Sequence, residues 1–129
     1  MKLTIRSYKV RFELGDEENE QVIRYTDDGR LFFRAYHSNH VLSRKQYVRL
    51  TGHDMALLNG LVGKLMDDYE LTMFAPEGDR WEMEIEDDNY EVYTFFGTME
   101  GYVTYGIDLT VLLRHLLPID DLYAFGDTQ

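Results

Sequence analysis

Alternation with a period of two runs through most of this chain, and it recurs too often for anything but a sheet-based fold. Residues 21–26 and 30–37 alternate on either side of Thr26-Asp27-Asp28-Gly29-Arg30, and Trp81, Met83 and Ile85 alternate with Glu82, Glu84 and Glu86. Successive side chains of a strand point to opposite faces, so such runs mark strands with one buried face. The same patterning predicts strands over 3–14, 44–50, 90–97 and 101–105. In the first, Leu3 and Ile5 share one phase while Tyr8, Val10, Phe12 and Leu14 share the other, which predicts a bulge near Ser7 or a strand that begins later. Residues 15–20, with four acids, read as a charged loop.

Two segments have a helical period instead. Leu58, Leu61, Val62, Leu65 and Tyr69 form one stripe, with Thr51 placed to cap and Asp54 to complete a capping box; that helix is expected to end near Met66. Leu109, Leu112, Leu113 and Leu116 form the other, capped by Asp108 and stopped by Pro118. The apolar residues of 119–126 are expected to dock on the body. Strands, helix, strands, helix is the order of an α+β fold: an antiparallel β-sheet of about six strands with two helices packed on one face, in a single domain spanning 1–129.

Register decides which side chains share a surface. Around Gly29, a three-residue loop pairs Tyr25 with Leu31 and Ile23 with Phe33, which segregates apolar from basic side chains. The other face then carries Val22, Arg24, Arg30, Phe32 and Arg34. A two-residue turn at Asp88-Asn89 pairs Ile85 with Val92, and sets Glu82, Glu84 and Glu86 opposite Phe95, Tyr93 and Glu91.

Charge is distributed as unevenly as hydrophobicity is evenly. The formal net charge is −11, but residues 1–50 hold ten Lys/Arg against seven Asp/Glu, whereas residues 51–129 hold three against seventeen. A strongly acidic chain is repelled by phosphate, so composition argues against direct nucleic-acid binding and against anionic membranes. Arg24, Arg30, Phe32 and Arg34 are the one local exception; pairing them with the acidic second half across the sheet accounts for them without a nucleic acid. There is no cysteine, which excludes disulfides and thiolate chemistry and fits a cytoplasmic location. No apolar run reaches the roughly 20 residues of a membrane span, and the N-terminus lacks the apolar block of a signal peptide.

Catalytic motifs are missing. No nucleophile elbow, P-loop, dinucleotide-binding glycine run or paired-His zinc helix occurs, and no catalytic residue, cofactor or metal is expected. His37, His40, His53 and Asp54 read as polar loop and helix-start residues, because structural metal sites bring four ligands at recognisable spacing. The leading expectation is a noncatalytic binding protein that acts through protein–protein contacts, with a protein partner or a second copy meeting an acidic, aromatic surface within 77–105. Its candidate residues are Glu82, Glu84, Glu86, Glu91, Tyr93 and Phe95. The alternative is an acidic nucleic-acid mimic of the counter-defence type, which needs carboxylates spaced like phosphates on one face. A third reading, a small-molecule domain or minor enzyme, needs a pocket between sheet and helices lined by Tyr90, Tyr102 or Tyr105.

Overall fold

A computed structural model of the protein describes residues 1–9, 18–70 and 75–128. In chain order the elements are β1 (Lys2–Tyr8), β2 (Glu18–Thr26), β3 (Arg30–His37), β4 (Val41–Arg49), α1 (Gly52–Asp67), β5 (Arg80–Glu86), β6 (Val92–Thr98), the short β7 (Val103–Thr104) and β8 (Ile107–Asp108), and α2 (Leu109–Leu116). The first six strands form one antiparallel sheet in the order β4-β3-β2-β1-β5-β6. The fold is thus the α+β class expected, with β1 inserted between the N-terminal strands and the 80–98 hairpin.

The Gly29 hairpin has the expected register, Tyr25 with Leu31 and Ile23 with Phe33. Gly29 sits at φ +97°, and its carbonyl accepts from the Leu50 amide at 2.7 Å; a Cβ there would lie 2.3 Å from the Leu50 oxygen. Only glycine meets both conditions. Elsewhere the structure corrects the expectations. Ser7 is no bulge: β1 pairs unbroken with β2 and β5, and Ser7 keeps the buried phase of Leu3 and Ile5 because its hydroxyl donates to the Ala124 carbonyl at 2.5 Å. Strand β2 starts at Glu18, inside the expected charged loop. The rest of that loop and the expected strand residues 10–14 lie outside the described residues. Thr51 precedes α1 without a side-chain cap bond, whereas Asp108 accepts from the amides of Thr110 and Val111 at the start of α2. The expected strand over 101–105 is a tight β7–β8 hairpin.

Both helices cover the same face of the sheet. Leu3, Ile5, Tyr25, Phe33, Met83 and Ile85 project from the strands to meet Leu58, Leu61, Val62 and Leu65 of α1 and Leu109, Leu113 and Leu116 of α2. Packing between them leaves a void of only about 20 Å³, bordered entirely by apolar side chains. The segment after α2 completes this side, burying Ile119, Leu122, Ala124 and Phe125. Phe125 and Tyr102 pack around Trp81 at centroid distances of 4.7 and 5.2 Å.

Three polar side chains, Ser7, Gln21 and Thr110, are buried among the described residues, and all three bond the backbone of that last segment. Gln21 accepts from the Tyr123 amide at 2.7 Å and donates to the Asp121 carbonyl at 3.3 Å. Thr110 donates to the Gly126 carbonyl at 2.7 Å and accepts from the Phe125 amide at 3.2 Å. Irregular backbone has no ladder partners, and a buried amide or carbonyl left unpaired costs about 1–3 kcal/mol, so these side chains substitute for a strand. From outside, Arg44 grips the same segment, bonding Glu18 in bidentate fashion and Asp121 at 2.8 Å.

Replacing Gln21 with Ala is expected to destabilise the fold by about 1–3 kcal/mol in chemical denaturation, since two backbone groups lose their partner. Gly97→Ala is expected to cost as much or more, because the added Cβ would sit 2.3 Å from the Trp81 indole. A change within about 0.5 kcal/mol for either, the scale of a neutral surface substitution, contradicts this packing.

Candidate interaction surface

A six-stranded sheet has two faces, and the helices cover one. No described element packs over the other. Its side chains come from the alternate phase of each strand, and the observed registers align them in rows across β4, β3, β2, β1, β5 and β6. One row reads Tyr47, Phe32, Arg24, Thr4, Glu84, Thr94. The next reads Lys45, Arg34, Val22, Arg6, Glu82, Phe96. Toward the opposite end lie Arg49, Arg30, Thr26, Lys2, Glu86 and Val92.

The face is therefore divided. Its β2–β4 half presents Arg24, Arg30, Arg34, Lys45 and Arg49 around Phe32 and Tyr47, whose rings lie 4.9 Å apart and remain 36% and 49% exposed. Its β5 side presents Glu82, Glu84 and Glu86 in one line. The expected pairing of the basic hairpin with these glutamates does not form, because β1 stands between them. Two strand spacings, roughly 10 Å between backbones and close to the screening length of physiological salt, separate Arg24 from Glu84, and the two form no ion pair. Arg24, Arg34, Lys45 and Arg49 make no ion pair among the described residues, and neither do the three glutamates. Opposite charges do adjoin along β1, where Arg6 is in register with Glu82 and Lys2 with Glu86.

The six residues expected to share the acidic surface are split between the two faces. The observed register is Ile85 with Tyr93, Met83 with Phe95 and Glu84 with Thr94, one residue from the expected one. Tyr93 and Phe95 consequently turn to the helix side, where Tyr69 covers both edge-on at 5.2 Å. Thr94 and Phe96 take their places beside the glutamates, and Glu91 is exposed in the loop. The cause is Asp87, whose carboxylate accepts from the amides of both Asn89 and Glu91 at 2.9 Å. Its backbone amide in turn donates to the Glu91 carbonyl, closing a longer loop than Asp88-Asn89 alone, with Tyr90 at φ +64°.

Arg24, Arg30, Phe32 and Arg34 do share one surface. The sequence reading did not include Lys45, Tyr47, Arg49 and Arg6 in it. The signal for the first three was present in the alternate phase of the 44–50 strand, and for Arg6 in that of β1, but only the β3–β4 register places Tyr47 beside Phe32. Two shallow depressions mark the face: one of about 390 Å³ at Phe32, Arg34, Lys45 and Tyr47, and one of about 230 Å³ at Arg6, Glu82, Glu84, Thr94 and Phe96. Around them, burial together with Glu82 and Glu20 raises the Tyr8 phenol above its usual pKa, so it stays a neutral hydrogen-bonding group.

At one end of this face His40 bonds Glu20 at 3.0 Å and stacks on Tyr36, both in the open phase of their strands, whereas His53 stands apart in the first turn of α1. No group of three or more metal-ligating side chains occurs among the described residues. Tyr90 is exposed in the β5–β6 loop, Tyr102 packs on Trp81, and Tyr105 bonds Asp68, so the three do not converge on a pocket. No described helix is long and apolar enough to cross a membrane.

Arg30 is held in place by Asp28, whose carboxylate bonds the Thr26 hydroxyl at 2.6 Å and the Arg30 guanidinium at 2.9 Å. The Thr26 bond first, then Arg30, lowers the Asp28 pKa from 3.8 to about 2. A depressed carboxyl pKa contributes stability that is complete above the unfolded value and disappears as pH falls through the folded one. The stability difference between the wild type and Asp28→Asn is therefore expected to be constant above about pH 4 and to shrink toward pH 2 in acid-limb denaturation. A difference that stays constant down to pH 2 contradicts the linkage.

No protein-family model matches the chain, and no curated protein sequence matches it.

Proposed function

We propose that this chain is a noncatalytic binding module that docks a protein on the open face of its sheet. The observation that carries this reading is the division of a face that the described residues leave largely open into a basic, aromatic half and an acidic row, with Phe32 and Tyr47 exposed among cations of which Arg24, Arg34, Lys45 and Arg49 make no ion pair among the described residues. Aromatic and arginine side chains in a partly apolar patch are the usual anchors of protein interfaces, and flanking charges set orientation and encounter rate. The broad, shallow relief of the face suits a macromolecule, whereas the apolar 20 Å³ void beneath the helices offers a small molecule neither room nor polar groups. The mimic reading draws less support: Glu82, Glu84 and Glu86 repeat at roughly 7 Å, but Lys2 and Arg6 border them in register, so the anionic surface is one strand wide.

A second reading rests on the Phe32–Tyr47 pair with its five surrounding cations, a combination that can stack a base and hold phosphate. The acidic row on the same face opposes it.

Affinity capture from the cells that make the protein, read by quantitative mass spectrometry, separates these cases. A partner held by the wild type is expected to fall at least tenfold with Phe32→Ser/Tyr47→Ser and to persist with Val111→Ser, which alters an exposed apolar residue of α2. Capture that survives the first variant and fails with the second overturns the assignment of the face. Fluorescence anisotropy with labelled single-stranded oligonucleotides is expected to show no saturable binding; tight binding that weakens steeply with salt supports the second reading instead.

A further inference from the structure

We propose that the protein docked on the open face is a second copy of this chain, in a twofold face-to-face pair. This deepens the protein-docking reading and rests on it. The argument is one of symmetry. Stacked sheets lie about 10 Å apart with their strands aligned within roughly 30°. A twofold axis between the sheets has two simple directions. Run across the strands, it lays β3 on β3 and sets Arg30 against Arg34 of the second copy. Run along the strands, between β1 and β2, it exchanges the two halves: β3 faces β5 of the second copy, β4 faces β6, and β2 faces β1.

Rotation about that second axis keeps each row in place and reverses it. Arg30 then faces Glu86 of the second copy, and Arg34 faces its Glu82. The Phe32–Tyr47 pair meets the depression at Glu84, Thr94 and Phe96. Each contact occurs twice, as a self-complementary interface requires. Arg34, Glu82 and Glu86, which make no ion pair among the described residues, therefore gain partners by the same operation, and Arg30, already paired with Asp28, gains a second carboxylate. Six strands of about seven residues give a projected face of roughly 24 by 23 Å, so two copies remove on the order of 1,100 Å² from water, above the about 1,000 Å² that marks a specific interface.

Charge reversal tests the geometry rather than stability alone. Sedimentation velocity of the wild type is expected to show a monomer–dimer equilibrium that weakens as salt is raised. Arg30→Glu/Arg34→Glu and Glu82→Lys/Glu86→Lys should each weaken self-association at least tenfold. An equimolar mixture of the two variants should restore the dimer, and so should the chain carrying all four substitutions. A wild type that stays monomeric at several hundred micromolar in low salt overturns the proposal. So does a dimer that neither variant weakens, which would place the contact elsewhere, for instance along the exposed β4 edge. Loss of self-association in both variants without recovery in the mixture overturns it as well. If the wild type is monomeric while Phe32→Ser/Tyr47→Ser abolishes capture of another protein, self-pairing fails and protein docking on this face stands.

Discussion

The fold depends on how the segment after α2 is tied down. Residues 119–126 are irregular, yet they bury Ile119, Leu122, Ala124 and Phe125 against the sheet. Burial of unladdered backbone is expensive unless each amide and carbonyl finds a partner. Ser7, Gln21 and Thr110 supply those partners from β1, β2 and α2, and Arg44 reaches in from β4. One segment thus joins the middle of the sheet, its basic edge and the last helix. With the helix side closed in this way, the side that the described residues leave open is the opposite face.

Topology then turns a property of the sequence into a property of that surface. The basic excess of residues 1–50 and the acidic excess of residues 51–129 would cancel if the two hairpins lay side by side. With β1 at the centre they lie on opposite flanks, and the charges are kept apart by a strand whose middle residue on this face is Thr4. Neutralisation inside one chain is confined to the neighbours of β1. What remains is a face with a positive side and a negative side, a pattern complementary to its own rotated copy.

Some of this was legible in the sequence. Period-two runs and two leucine stripes suffice for the class and the element order, and the Gly29 register follows from segregating Tyr25, Leu31, Ile23 and Phe33 from the arginines. The same logic fails at 85–96 for a physical reason. Val92, Tyr93, Phe95 and Phe96 are apolar or aromatic on both phases, so a slip by one residue leaves an apolar face either way. The choice is made by Asp87, whose two backbone-amide bonds lengthen the loop. Strand order was not legible, because the pairing of β1 with β5 joins residues about eighty positions apart and leaves no local trace. Nor were the buried roles of Gln21 and Ser7, since hydrogen bonds to irregular backbone follow no periodicity.

Hydroxyl-radical footprinting as a function of protein concentration reaches the central claim most directly, because it reads individual side chains. If the open face is closed by a second copy, labelling of Phe32, Tyr47 and Phe96 should fall together as concentration rises. Tyr105 and Val111, exposed elsewhere, should keep their labelling throughout. Unchanged labelling of Phe32 and Tyr47 under conditions where Tyr105 or Val111 becomes protected would contradict the account.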